Sequence, residues 1–327
     1  MSKKRITILG GGSWGTALAQ MVASSGHKTS LYARDETIVT EMNAAHTNRR
    51  YLGEITLNDK IFATTQPDQA LKEADMILAA IPAQFLRQAL QDLKAFIPPH
   101  AILILCAKGI ERTSRYFMSQ VAHDVLPTQP LAVLSGPSFA TDVARGLPTA
   151  VTIAARDGAL AQRLVHDLSC AYFRGYACTD LIGVEIGGAL KNVLALAAGC
   201  STGRGLGSSA QAALITRGFA ELRRITVALG GKAATLVGLC VLGDLILTCS
   251  SSQSRNYAYG LHLGQGKSVE NLPLAEGVAT APVAADLCER LGVEAPIIHT
   301  VASLLTNRIT MGEAVEQLIQ RPLKFED

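Results

Sequence analysis

The stretch Ile6-Thr7-Ile8-Leu9-Gly10-Gly11-Gly12-Ser13-Trp14-Gly15-Thr16-Ala17-Leu18-Ala19-Gln20 decides how the first half of this chain is read. Residues 6–9 form a short apolar run, as expected of a strand covered on both faces by helices. Residues 16–25 then read as a helix. Between them Gly10, Gly12 and Gly15 fit G-x-G-x-x-G. The first glycine permits a tight turn and the second lets backbone approach a pyrophosphate. The third lets the helix pack close on the strand, and the helix N-terminus favours the anion. The hexapeptide alone also describes an ordinary glycine turn. Its place after a strand and before a helix points to dinucleotide binding.

Outward from this unit, short β-rich runs alternate with helical stretches. Strands are expected at 6–9, 28–33, 61–64, 76–81, 102–106, 131–134, 150–154 and 172–177, with helices such as 16–25, 85–94 and 160–168 between them. Repeated βα units predict a parallel, doubly wound α/β sheet. The pattern changes near residue 179. From Asp180 onward the sequence offers no convincing strand, only apolar stretches suited to helices at 181–198, 210–229, 236–247, 255–263, 279–291, 296–306 and 311–319. Gly230-Gly231 and Gly264-Gln265-Gly266 punctuate them. The expected domains are therefore 1–179, binding a dinucleotide, and 180–327, all-helical.

Composition agrees with two packed domains. The 327 residues are 48% apolar and 17% charged, with a net charge of +3, which excludes a disordered chain. So small a charge gives no electrostatic case for nucleic acid or an anionic membrane. The mean hydropathy of +0.24 invites a membrane reading. No stretch approaches the ~18 uninterrupted apolar residues of a spanning helix, and the most apolar run, 236–247, contains Asp244. Met1-Ser2-Lys3-Lys4-Arg5 is a basic start, but the apolar run after it is too short for a signal-peptide core. The 7 cysteines form an odd set without C-x-x-C. Neither a disulfide framework nor a metal site is expected, and a cytoplasmic location is.

The helical half carries the chemistry. Lys191 shares its helical face with Val184, Gly187, Gly188, Leu194, Ala195 and Ala198. Burial there would lower its pKa toward neutrality, where it can exchange a proton; a lysine reaching solvent from an amphipathic helix is the alternative. Asp244 lies in another apolar run, and a lone carboxylate is costly to bury without a partner. Pairing it with Lys191, and with Thr248 one helical turn on, would set an ammonium and a hydroxyl beside a cofactor; an N-terminal helix charge after Gly243 is the plainer reading. Ser254-Arg255-Asn256 reads as an anion site or as an ordinary helix cap. In the first half, Lys108 and the segment Ser135-Gly136-Pro137-Ser138-Phe139-Ala140 end strands on the side where such sheets bind ligands, or they are turn chemistry only. Arg34 stands at the end of the second strand, where an NAD site usually has an acid, with Asp35 one step later. A guanidinium there can pair with a 2′-phosphate or lie on the adenine face, a solvated loop arginine being the plainer reading; the first favours NADP with NAD tolerated.

Together these residues resemble the bacterial type of the NAD(P)-dependent glycerol-3-phosphate dehydrogenase family. The motifs are GGGSWGTA at 10–17, KGIE at 108–111, GPSFA at 136–140, GGALKNV at 187–193, ALITRG at 213–218, GDLILTC at 243–249 and SRN at 254–256, in family order across nearly the whole chain. The resemblance implies a Rossmann domain, then an all-helical domain of the 6-phosphogluconate dehydrogenase C-terminal kind, and a homodimer. It also implies reversible reduction of dihydroxyacetone phosphate, a phosphorylated triose, to sn-glycerol 3-phosphate for glycerophospholipid synthesis. By position, Lys191 matches the proton carrier, with Asn192 and Thr248 in its polar network. Lys108, Gly136, Ser138, Lys191, Asp244, Ser254, Arg255 and Asn256 match substrate contacts. Ser13, Trp14, Arg34, Lys108, Ala140, Arg255, Leu274 and Glu276 match cofactor contacts beside the glycines. Val241, Ser209, Gly53 and Ala83 depart from the family pattern, and Val241 bears on packing near Asp244. A related hydroxy-acid dehydrogenase would share the glycines and an interior lysine, and a non-catalytic redox sensor only the glycines. Lys108 and the SRN segment favour a phosphorylated substrate.

Overall fold

The computed structural model describes residues 3–320; residues 1–2 and 321–327, which fall within the two ranges read from the sequence, lie outside the described residues. The strands are β1 (Arg5–Leu9), β2 (Lys28–Tyr32), β3 (Ile61–Thr64), β4 (Met76–Ala79), β5 (Ile102–Leu105), β6 (Leu131–Ser135), β7 (Thr149–Ala154) and β8 (Phe173–Cys178). They form one 8-stranded sheet in the order β3-β2-β1-β4-β5-β6-β7-β8. Its first part is parallel, and the strand order reverses beside β1, which is where such sheets open a ligand crevice.

The sheet is not parallel throughout. β7 runs antiparallel to β6, and β8 is parallel to β7. Residues 136–148 between β6 and β7 hold one helix of 5 residues, Ala140–Ala144, packed over helix Ser13–Ser24. Too short to carry the chain back across the sheet, this link lets it turn and run alongside.

Alternation along the strands sorts the core by face. Ile6, Ile8, Ile102 and Ile104 pack with Leu18 and Met21 inside the first domain. Leu9, Ile77, Leu103 and Leu105 belong to a core that continues into Val184, Leu190 and Leu194 of the helical half. That shared core is what brings the two halves into register.

The helical half is built around Leu181–Gly203, 23 residues long and buried along most of its length. It is long and apolar enough by composition to cross a membrane, yet 94% of its apolar window is buried inside the protein. Asp180 caps it, accepting from Gly183 N at 2.9 Å, and also ties in Lys232 N and the Thr235 hydroxyl at 2.8 and 2.6 Å. Helix Arg255–Gly264 lies so close that a Cβ on Gly199 would be 2.1 Å from Tyr257 O, and one on Gly260 2.1 Å from Leu196 O. Among the described residues, no strand follows Cys178.

The single helix expected at 236–247 is broken. Ala233–Leu236 ends at an extended Gly238; a wide π-type turn, Leu239–Gly243, follows; Asp244–Cys249 then resumes as α-helix. The turn presses Val241 onto the central helix, where a Cβ on Gly187 would sit 2.2 Å from Val241 Cγ2. Gly187→Ala is expected to overpack this contact at a cost of about 1–3 kcal/mol. A lower melting temperature for G187A, largely restored in the G187A/V241A double variant, is the expected measurement; a wild-type melt for G187A would refute the contact.

Candidate active site

Three elements converge where the strand ends meet the central helix. Lys191, 6% exposed, comes from that helix, Asp244, 2% exposed, from the start of the helix after the π turn, and Lys108 from the loop after β5. Lys191 Nζ donates to Asp244 Oδ1 at 2.7 Å and to Thr248 Oγ1 at 2.6 Å. Thr248 in turn donates to Asp244 Oδ1 at 3.2 Å. Lys108 Nζ donates to Asp244 Oδ2 at 2.6 Å and to Gly136 O at 3.2 Å. One buried carboxylate therefore sits between two ammonium groups, one from each half of the chain.

The electrostatics follow from that geometry. Burial, reinforced by the Lys108 charge and opposed by Asp244, pushes the Lys191 amine down to about 8. For Asp244 burial alone would raise the pKa, but the two ammonium groups and their hydrogen bonds outweigh it and hold the carboxyl below the usual range. Lys191 is thus an acid poised near neutrality, and Asp244 stays ionised to hold it.

A chain of amides backs this cluster. Asn192 Nδ2 donates to Lys108 O at 3.3 Å, Asn256 Nδ2 to Asn192 Oδ1 at 2.9 Å, and Gly277 N to Asn256 Oδ1 at 2.8 Å. Ser254 caps helix Arg255–Gly264, accepting from Tyr257 N, as the plainer sequence reading had it. Ser138 donates its hydroxyl to Gly136 O, the carbonyl that also receives Lys108. Arg255 is exposed, and its charge acts on Glu276.

The glycine loop has the shape its spacing predicts. A Cβ on Gly15 would be 1.9 Å from Gly10 O, and one on Gly10, at φ +112°, 2.8 Å from Ala80 O, whereas at Gly12 nothing lies within 4 Å. Helix Ser13–Ser24 begins with no side-chain cap, so its first N–H groups are open to an anion. Glu276 accepts from Ala83 N at 3.0 Å, and its buried Oε2 has no hydrogen-bond partner among the described residues. Open backbone over Gly12 and an unmatched acceptor across the cleft fit a dinucleotide ending in a carboxamide.

Other expected residues lie around this cleft. Ser13 donates to Tyr51 O at 3.2 Å, and Trp14 and Ala140 pack half-buried on one core face. Arg34 and Leu274 are exposed and make no contact with the lysine cluster among the described residues. Asp35 caps the next helix and pairs with Arg50 at 3.1 Å, so its carboxylate is already engaged. Sequence reasoning missed Asn48, whose amide holds Gly11 O at 3.0 Å and Thr16 Oγ1 at 2.8 Å. A lone asparagine so far from the glycines carries no local signal.

Comparison with known proteins gives a consistent picture. A family model described as the NAD-dependent glycerol-3-phosphate dehydrogenase N-terminus matches residues 5–161, and its C-terminus counterpart matches 180–316. The chain is 57% identical over 323 residues to a glycerol-3-phosphate dehydrogenase [NAD(P)+] of Brucella canis, covering 99% of each. It is 54% identical over 321 residues to that of a Chelativorans strain, covering 98% of each. The crystal structure of glycerol-3-phosphate dehydrogenase from Coxiella burnetii superposes with a TM-score of 0.92 at 37% identity, covering 98% of this chain and 99% of the other.

Proposed function

Because the chain belongs to the NAD-dependent glycerol-3-phosphate dehydrogenase family, we propose that Lys191 carries the proton in its reaction. The chain is an oxidoreductase that reduces dihydroxyacetone phosphate to glycerol 3-phosphate with NAD(P)H. The observation that carries the proton role is the Lys191–Asp244–Lys108 array.

The bound reduced nicotinamide supplies the hydride. Lys191 protonates the C2 oxygen as negative charge builds on it, while Asp244 and Thr248 keep the ammonium aimed. Lys108, held by Asp244 and the Gly136 carbonyl, stabilises the same oxygen as a fixed cation. Arg255, with the remaining N–H of Asn256, clamps the phosphate. Ser138 and Ser254 act through the backbone they hold, and Asn192 braces the Lys108 loop. The glycine loop, Ser13, Trp14, Ala140, Leu274 and Glu276 hold the cofactor.

The finer readings rest on particular residues. NADP is favoured over NAD because Arg34 is exposed while Asp35 is engaged by its helix and Arg50. The chain divides between 179 and 180, after β8 and before the central helix. A homodimer, service to glycerophospholipid synthesis and a cytoplasmic location complete the proposal; the seven cysteines, all free thiols, suit a reducing compartment.

Following NADPH and NADH absorbance with dihydroxyacetone phosphate tests the activity. Turnover with the phosphate ester and little with unphosphorylated dihydroxyacetone is expected; preference for a non-phosphorylated hydroxy acid would contradict it. Arg34→Ala is expected to raise KM for NADPH about 10-fold, the size of a lost charge-assisted hydrogen bond, with NADH little changed. Equal losses for both cofactors would remove Arg34 from the 2′-phosphate.

A further inference from the structure

The central helix carries a second buried ionisable group that the chemistry above does not use. Glu185 lies six positions before Lys191 and reaches back into the first domain. It accepts from Ser119 N at 2.7 Å and from the Ser119 hydroxyl, at the first turn of helix Met118–Val125. A carboxylate there also meets the positive end of that helix.

Glu185 further lines a small, partly open cavity of about 10 Å³, shared with Lys108, Ser135 and Gly188. That is room for one water. The Ser135 hydroxyl, 1% exposed, borders it and has no partner among the described residues, while Met118, Val133 and Val184 make much of the wall apolar. At this point the helix presses on the strand ends: a Cβ on Gly188 would lie 3.1 Å from Ser135 Oγ and 3.5 Å from Lys108 Cγ. On the other side, Ser119 opens to a pocket of about 510 Å³.

We propose that Glu185 is a positioning residue: its carboxylate, clamped by Ser119, registers the Lys191 helix against the strand ends bearing Lys108 and Ser135. The proposal rests on the dehydrogenase reading given above. The cluster of Asp244 with two lysines bridges both halves, so a small slip of the central helix moves Lys191 relative to Lys108. Ser119 supplies two of the donors that prevent that slip.

The clamp is ionisable. Burial pushes the Glu185 carboxyl up to about 7, against the Ser119 and Met118 hydrogen bonds and the Arg156 charge, which lower it. Lys108 faces it across the small cavity, and His123, Asp124 and Asp157 line the outer pocket beyond Ser119. Since the folded pKa lies above the ordinary 4.5, protonation sets in as pH falls through about 7, and the neutral acid accepts these bonds more weakly.

The test compares kcat against pH for wild type, Glu185→Gln and Ser119→Ala, reducing dihydroxyacetone phosphate with NADPH. Wild-type kcat is expected to fall several-fold as pH drops through about 7. E185Q should lack that limb, holding the lower value throughout, with KM for NADPH and the alkaline limb unchanged. S119A, one donor poorer, should move the acid limb to higher pH. An E185Q profile identical to wild type overturns the proposal. So does loss of NADPH binding together with turnover in both variants, which marks a structural anchor only. Wild-type protein without ketone reduction refutes instead the dehydrogenase reading.

Discussion

Lys191→Ala is expected to lower kcat for dihydroxyacetone phosphate reduction by about 10²–10⁴, the worth of a positioned general acid. The change removes the ammonium that both Asp244 and Thr248 hold. It leaves Asp244 paired with Lys108, so no buried charge is stranded and the fold should persist. Lys191 lies apart from the glycine loop in the other half of the chain, so NADPH affinity should change little. Stopped-flow turnover with NADPH fluorescence titration separates the two effects. A near-native kcat in K191A would take the proton from this residue.

Asp244→Ala is expected to do comparable damage by a different route. Lys191 and Lys108 approach opposite oxygens of that one carboxylate at 2.7 and 2.6 Å. Without it, two ammonium groups face each other in a buried site. Removing one partner of such a cluster costs about 3–5 kcal/mol. The available relief is for Lys191 to lose its proton, since the Asp244 charge is what opposes burial. D244A should therefore melt lower than wild type, and its alkaline limb in ketone reduction should move below 8. Asp244→Asn keeps the shape and should show the same displacement, with part of its kcat recovered at lower pH. An unmoved limb in D244N would mean that the carboxylate does not set the lysine.

How far these residues could be read in advance depended on whether the signal was local. β1, the glycines and the first helix lie within one short stretch, and every expected strand has its counterpart. The antiparallel β7 was not legible, because pairing direction is fixed by how residues 136–148 fold over the first helix and not by the strand's own residues. The break at Leu239–Gly243 was hidden for a similar reason. Its residues keep an apolar helix pattern, and the wide turn is seen only where the packed chain brings Val241 onto Gly187 of the central helix. Lys191 and Asp244 were legible as a pair because each is a costly charge in an apolar run. The same signal was present at Glu185, in the same helix, but its partner Ser119 sits in a helix that offers no comparable oddity. Lys108 was expected as a cation at the cleft, while its bond to Asp244, which joins the two halves, emerged only from the packing.

The most direct measurement is kcat against pH for the wild-type protein in both directions, ketone reduction and alcohol oxidation. Reduction needs the Lys191 ammonium and oxidation the free amine. Reduction should therefore fall, and oxidation rise, through a common midpoint near 8, where burial places this amine. Two profiles that move together as pH rises through 8, or that show no inflection there, would contradict a buried lysine as the proton carrier.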